Sequence, residues 1–311
     1  MVWWRWKAPN APHVGVAMNG DLGDLIATEP VFDQLLEKYP GAVLHFIAHP
    51  NYFPIFQWHP GIRHLVAQKF QALIPLLHQK HPYDAFLHLH LSHFRTDECH
   101  GQGIINPRAE ALGLNLSNYY EAHTLLELSS KLAGLEAMDT RPKLYLDPNL
   151  KLPIDLEKGS YWVIHRHSTD PDRNWNEAGW KRLVEGILER YSIKVVELGQ
   201  QKSLNLTHPN YHDLVGKTSL QELFGILAGA QFYIGLDSGP SHAANALGIP
   251  GLILLGSYRN FKTYMPFSGD YRSQKNSQIL RPAQGKAQEL SFEEVQLGLD
   301  SALNRLVLKK K

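Results

Sequence analysis

Three short stretches of this chain hold side chains able to bind and transform a small polar molecule. Asp237-Ser-Gly-Pro-Ser-His242 follows an apolar run, with Gly239 for a tight turn and Pro240 suited to the first helical position. Ser238, Ser241 and the amides of such a turn would form a nest for a phosphate, flanked by Asp237 and His242. His165-Arg-His-Ser-Thr-Asp-Pro-Asp-Arg173 also follows an apolar run. Its Ser168 and Thr169 offer hydroxyls, and Arg173 offers a planar fork for phosphate oxygens. In Gly20-Asp-Leu-Gly-Asp24 two glycines admit a ligand close to the backbone. Asp24 there is either a helix cap or a working carboxylate.

Other chemistries are disfavoured. Gly20 and Gly23 lack the third glycine of G-x-G-x-x-G and the acidic residue ending the next strand, which argues against a nicotinamide cofactor. No G-x-S-x-G elbow supports Ser-His-Asp hydrolysis. Asp170-Pro-Asp172 has the look of a metal pair, but Pro171 and Arg173 fit a turn better. His81, His88, His90, His93 and His100 lie near Cys99, and zinc could be built from them. The chain has 17 histidines spread along its length, however, so we expect acceptor-facing or plain polar roles and no metal.

Apolar residues make up 43% of the 311 and charged residues 20%, an ordinary globular composition with room for two domains. A net charge of +1 gives no field that would recruit nucleic acid. The halves differ: residues 1–150 carry −3 and the rest +4, a bias that suits an anionic ligand in the second half. A single cysteine excludes an intrachain disulfide. No apolar run approaches the roughly 18 residues of a membrane span. The start, Met1 to Lys7, is broken too soon by Pro9 and Pro12 to read as a secretory signal, so a cytoplasmic protein is expected.

The elements that must position these residues come in two similar sets. In the first, His13–Met18, Val43–Ala48, Ile62–Val66 and Asp84–Leu91 are predicted strands. Leu25–Tyr39 is a predicted helix with Pro30 marking a kink or a fresh first turn, and Gln71–Gln79 and Leu125–Leu135 are further helices. Residues 92–120 look loop-rich, and Pro142–Asp155 looks like a linker. In the second set, Tyr161–His165, Lys194–Leu198, Phe232–Leu236 and Gly251–Leu255 are strands. A helix there buries Trp180, Leu183, Val184, Ile187 and Leu188, capped by Asn176 and stapled by Trp175. Ser219-Leu-Gln-Glu222 and Ser291-Phe-Glu-Glu294 are capping boxes, the last opening a helix to about Leu308. A β-α-β rhythm that restarts implies two doubly wound parallel-sheet domains facing across a cleft, with ligands at the C-terminal ends of the strands.

Together these turns resemble glycosyltransferase family 9, the ADP-heptose:lipopolysaccharide heptosyltransferase family. The likeness rests on Leu22-Gly-Asp24 with Pro30, Asp172-Arg-Asn-Trp175, Leu214-Val-Gly-Lys-Thr-Ser-Leu220, and Asp237-Ser-Gly-Pro-Ser-His242 followed by Gly248-Ile-Pro250. It implies an α/β GT-B fold of two Rossmann-like domains, 1–150 binding acceptor and 151–311 binding nucleotide sugar. It also implies metal-independent, inverting transfer of a sugar, heptose for instance, from a nucleoside-diphosphate sugar to a lipopolysaccharide-core or other cell-surface glycan or glycolipid. By the resemblance, Asp24 matches the catalytic carboxylate. Ser168, Thr169, Arg173, Gly199, Gln200, Thr218, Asp237, Ser238, Gly239, Pro240 and His242 lie on the donor side. Gly20, Gly23, His93 and Arg95 lie on the acceptor side. There are departures: Arg173 replaces the usual Lys, Gly256-Ser-Tyr-Arg-Asn260 lacks the usual Gly-Pro-Thr-Asp run, the aromatic N-terminal extension is unusual, and residues 92–120 match little. An epimerase or hydrolase of nucleotide sugars and a non-catalytic binding module stay open as alternatives. Trp3, Trp4 and Trp6 interleaved with Arg5 and Lys7, and the terminal Lys309-Lys-Lys311, suit peripheral contact with the inner face of a membrane.

Overall fold

The computed structural model describes residues 10–67, 77, 79, 81–91, 106–121, 123–258, 261, 263–282 and 285–307. The chain divides into two compact units, residues 1–145 and 146–311.

In the first unit the chain runs through β1 (His13–Ala17), α1 (Leu22–Ala27), α2 (Pro30–Lys38), β2 (Val43–Ala48), β3 (Ile62–Ala67), β4 (Ala85–His88) and α3 (Leu125–Ala133). All strand pairs are parallel, in the order β3-β2-β1-β4. Every residue of β1 is buried, as a central strand covered on both faces must be. The predicted helix over Leu25–Tyr39 is two helices. Pro30 opens α2, where its missing N–H costs nothing, and the turn before it closes through Thr28 N–H to the Asp24 carbonyl at 3.2 Å. Leu25, Ile26 and Leu35 are buried as predicted, and Leu36 is only half-buried. β4 stops at His88, short of the predicted Leu91, because a side chain takes over its carbonyls. Asn106 Nδ2 donates to the carbonyls of His88 at 2.8 Å and His90 at 3.0 Å. Most of the predicted Gln71–Gln79 helix lies outside the described residues.

The second unit contains β5 (Tyr161–His165), α4 (Glu177–Arg190), β6 (Lys194–Glu197), β7 (Tyr211–Asp213), α5 (Leu220–Gly229), β8 (Phe232–Leu236), α6 (Gly239–Leu247), β9 (Gly251–Leu254), β10 (Ser277–Leu280) and α7 (Phe292–Ala302). Its six parallel strands are ordered β10-β9-β8-β5-β6-β7. The sequence pattern missed β7 and β10. Both are edge strands of three or four residues, too short for a period to register.

Helix α4 carries the predicted start signals. Asn176 accepts from the Gly179 amide at 2.7 Å, and the Trp175 and Trp180 rings meet edge-on at 5.5 Å. Trp180, Leu183, Val184 and Ile187 are fully buried in one core with Ile164, Phe232, Ile234 and Leu252. Each such side chain contributes about 1.5–3 kcal/mol by leaving water. Gly179 is required by the same packing, because a Cβ there would lie 2.6 Å from the Trp175 ring.

Strand order locates the place for chemistry in each unit. In the first, the chain passes from β1 outward through β2 and β3, then returns to pair β4 on the other side of β1. In the second it passes from β5 through β6 and β7, then returns to β8 beside β5. In open α/β sheets ligands bind outside the carboxyl ends of the strands beside such a reversal. The turn after β1 holds Asp24. The turns after β5 and β8 hold Arg173 and Asp237.

Candidate functional site

In the second unit the residues singled out from sequence lie on loops that follow four neighbouring strands, β8, β5, β6 and β7. The two loops at the reversal are bonded to each other. Arg173 Nη1 lies 3.1 Å from Asp237 Oδ2, and His165 Nδ1 lies 3.0 Å from Ser238 Oγ. Asp237 is buried, and its Oδ2 also accepts the Tyr264 hydroxyl. Burial, with Asp237 beside it, pushes the Tyr264 phenol well above its usual range. The Arg173 guanidinium lies 4.3 Å from the Tyr258 ring and 5.9 Å from the Tyr264 ring.

The two histidines here are neutral. Burial, reinforced by His167 and Arg166, pushes His165 down to about 3. Burial, with Arg173 adding to it against Asp237, pushes His242 down to about 4. His242 packs on Phe267 at 4.7 Å and so supplies no positive charge at neutral pH. Arg173 is a fixed cation of this corner, and Arg281, which donates to the Tyr264 carbonyl, is another. If neutral His165 donates from Nδ1, the Ser238 hydroxyl donates to the Leu236 carbonyl at 3.3 Å, and an anion would have to compete for that proton.

Helix α6 begins at this corner, with Pro240 in its first turn and Gly248 as its left-handed C-cap. One expectation fails here. Ser241 does not join a phosphate nest, because its hydroxyl is fully buried, donating to the Leu236 carbonyl and meeting Tyr233 Oη at 2.9 Å. A serine one turn into a covered helix faces its own strand. The Ser241 and His242 amides close back on the Ser238 carbonyl at 3.0 and 3.3 Å. The nest is therefore narrower, formed by Ser238 and the Gly239 amide, which by helix geometry has no intrahelical acceptor.

Ser168 is buried, its amide held by Asn174 Oδ1 at 2.6 Å, whereas Thr169 is exposed. Asp170 and Asp172 are each engaged within the protein. Asp170 Oδ1 takes the Asp172 amide at 3.0 Å, and Asp172 pairs with Lys286 at 2.8 Å. Further along the sheet edge, the Gly216 amide donates to the Gly199 carbonyl at 2.8 Å. That bond joins the loop bearing Gly199 and the exposed Gln200 to the loop bearing Thr218.

Sequence reasoning missed what holds the first of those loops. Arg166 and Glu197 form a buried pair at 2.5 Å, and Glu197 Oε2 accepts the Leu204 amide at 3.0 Å and the Tyr211 hydroxyl. Arg166 also donates to the Lys202 carbonyl. The signal was a charged residue inside a strand-end motif and a Glu closing an apolar strand, both unlikely to be buried without each other.

In the first unit Asp24 occupies the third position of α1, where its Oδ2 accepts the Asp21 amide at 2.8 Å. Gly20 is obligatory, since a Cβ there would lie 2.5 Å from the Asp24 Cβ. Gly23 is half-buried in the same turn. The turn is fixed from below by His88, whose Nε2 lies 2.6 Å from Asn19 Oδ1 and whose Nδ1 lies 3.3 Å from Asn106 Nδ2. Both ring nitrogens are thus engaged by amides. Its ring lies 6.5 Å from that of His90. His93, Arg95, Cys99 and His100 lie outside the described residues.

Among the described residues one group has a metal-like donor set, Glu29, Asp33 and His59. Protein groups already contact each of its three members. Lys143 Nζ lies 3.0 Å from Asp33, the Lys143 amide donates to Glu29 at 2.8 Å, and the Gly61 amide donates to His59 Nδ1 at 3.0 Å. His59 Nε2 completes the set at 3.2 Å from Glu29.

A doubly wound parallel sheet with polar groups gathered at its reversal is the architecture of nucleotide-binding α/β proteins. The profile of glycosyltransferase family 9 (heptosyltransferase) matches residues 118–291, more than half of the chain. The chain belongs to that family and is a glycosyltransferase. It is 20% identical over 283 residues to lipopolysaccharide heptosyltransferase 1 of Escherichia coli K12, covering 78% of this chain and 88% of the relative. In structure it is similar to the E. coli heptosyltransferase WaaC with ADP-2-deoxy-2-fluoro heptose, with a TM-score of 0.62, 18% identity and coverage of 93% and 99%. The E. coli ADP-heptose heptosyltransferase II gives a TM-score of 0.66, 17% identity and coverage of 93% and 98%. These likenesses show the GT-B fold.

Proposed function

We propose that this enzyme transfers a heptose from an ADP-sugar to a lipopolysaccharide-core acceptor, with inversion and without a metal ion. The observation that supports this most is the row of polar loops after β8, β5, β6 and β7, which begins at the sheet reversal with a guanidinium, hydroxyls and a helix start. Such a row suits a ligand with a diphosphate at one end and a nucleoside at the other. The diphosphate belongs with Ser168, Thr169, Arg173, Ser238, Gly239 and the start of α6 at Pro240. Gly199, Gln200 and Thr218 take the nucleoside. Asp237 borders the sugar, and His242 lies on the diphosphate side.

In the reaction an acceptor hydroxyl oxygen attacks the anomeric carbon as the bond from that carbon to the diphosphate oxygen breaks. The hydroxyl proton passes to Asp24, and the electron pair leaves with the nucleoside diphosphate. Arg173, the hydroxyls and the helix start stabilise the charge that gathers there. Gly20 and Gly23 let the acceptor approach the backbone beside Asp24, and His93 and Arg95 serve the same side. The sites of action are the cytoplasm and the cytoplasmic membrane face, where lipid-linked acceptors reside.

The test is turnover of ADP-heptose with and without a lipopolysaccharide-core acceptor, each in the presence and absence of excess EDTA. Acceptor-dependent release of ADP that persists in EDTA is the expected result. Release without acceptor would indicate a hydrolase. Loss in EDTA restored by a divalent ion would overturn metal-free transfer.

A further inference from the structure

Arg173 and the loop after β9 are two of the places where the sequence departs from the pattern it resembles, and the structure brings them into contact. The guanidinium carbon of Arg173 lies 4.3 Å from the centre of the Tyr258 ring. Tyr258 in turn packs on Tyr264 at 5.1 Å. The loop carrying Tyr258 is tied down, with the Ser257 amide donating to the Gly285 carbonyl at 2.8 Å. It also lies close against the turn that carries Arg173, since a Cβ at Gly256 would come within 3.0 Å of the Asp172 carbonyl oxygen. Two carboxylates pull on the same guanidinium, Asp237 at 3.1 Å from Nη1 and Asp170 at 3.8 Å from Nε.

A guanidinium is planar and presents paired N–H groups in a fixed fork, whereas an ammonium is a point charge on a flexible stem. The fork gives directional recognition only if its plane is fixed. An aromatic face does this, because the ring attracts the cation and lies flat against it. A lysine in place of Arg173 would gain little orientation from Tyr258, and Arg173 without the ring could turn towards Asp170.

We propose that Tyr258 is a positioning residue that fixes the Arg173 fork so that it addresses oxygens of two linked phosphates, making the site selective for a diphosphate over a monophosphate. This rests on the donor assignment made under Proposed function.

The experiment is calorimetric titration of the full chain with ADP and with AMP, for the parent, Tyr258→Phe, Tyr258→Leu, Tyr258→Gln and Arg173→Lys. The Phe variant keeps the ring and should bind both nucleotides within about twofold of the parent. Either the Leu or the Gln variant, whichever folds with parental circular dichroism, should bind ADP about tenfold more weakly while AMP changes less than threefold. Arg173→Lys should lose the same discrimination, and adding Tyr258→Leu to it should weaken ADP by less than a further twofold. Parental ADP affinity in the Leu and Gln variants overturns the role of Tyr258. So do equal losses for ADP and AMP, or fully additive losses in the double variant. A parent chain that binds neither nucleotide overturns the donor assignment itself, and the role of Tyr258 with it.

Discussion

The carboxylate of Asp24 receives the Asp21 amide on one oxygen, and an ionised carboxylate has lone pairs for several donors. Helix capping and proton acceptance are therefore compatible in one side chain. Asp24→Asn keeps the shape and an acceptor oxygen and removes the base. It should slow transfer by about a hundred- to ten-thousandfold while leaving ADP-sugar affinity and melting temperature near parental values. Near-parental turnover would reduce Asp24 to a cap. Arg166 is a different case, because its partner Glu197 is buried with it. Replacing Arg166 by Met strands that charge and should cost about 3–5 kcal/mol in urea unfolding. Parental stability would mean that the Leu204 amide and Tyr211 hydroxyl suffice for Glu197.

Among the elements, α4 shows how a start signal and a core contact become one device. The Trp175 indole that staples the helix also donates to the Leu290 carbonyl at 2.7 Å, just before α7. The close approach of Trp175 to Gly179 inverts a propensity rule. In an exposed helix, Gly→Ala stabilises by roughly 0.5–1 kcal/mol. Here Gly179→Ala should destabilise by about 1–3 kcal/mol, because the new methyl meets the Trp175 ring at 2.6 Å. A higher melting temperature for Gly179→Ala would refute this packing. Legibility was uneven at this scale. Asn176, Ser219 and Ser291 were readable because a cap needs only residues within three positions of itself. The split of the first predicted helix at Pro30 was readable only as an alternative, since a proline permits both a kink and a new first turn.

The whole molecule carries a pH dependence built from buried neutral histidines. His45 is held down to about 4 by burial with His64 and His13 close to it, and His165 and His242 lie at about 3 and 4. An unfolded histidine protonates near 6.5. Below that value the unfolded chain binds more protons than the folded one, so stability is complete above about pH 6.5 and falls as pH drops towards 4. Each histidine contributes a slope of about 1.4 kcal/mol per pH unit inside that window. Urea midpoints at pH 7, 6 and 5 check this, and a flat profile would place these rings in water. Membrane attachment also belongs to this scale. Among the described residues no helix is long and apolar enough to cross a membrane. Trp3, Trp4, Trp6 and Lys309–Lys311 lie outside the described residues, and peripheral contact through them is a proposal. The full chain should sediment with anionic liposomes in low salt more than a chain lacking residues 1–8. Equal, salt-insensitive recovery in the supernatant would remove it.

Sequence alone determined the alternating α/β order, the caps, and the local turns that carry Asp24, Arg173 and Asp237, because each depends on neighbours a few positions away. The family likeness was legible for the same reason, being a set of such turns in a fixed order. Tertiary structure decided which turns meet. The reversal of strand order between β5 and β8 puts Arg173 against Asp237. The fold turned Ser241 inward and gave both nitrogens of His88 to Asn19 and Asn106. It also laid Tyr258 on Arg173. Those partners lie from 5 to 85 positions apart, and burial selects them by desolvation, which penalises any polar group left without a partner and cannot be read from local spacing.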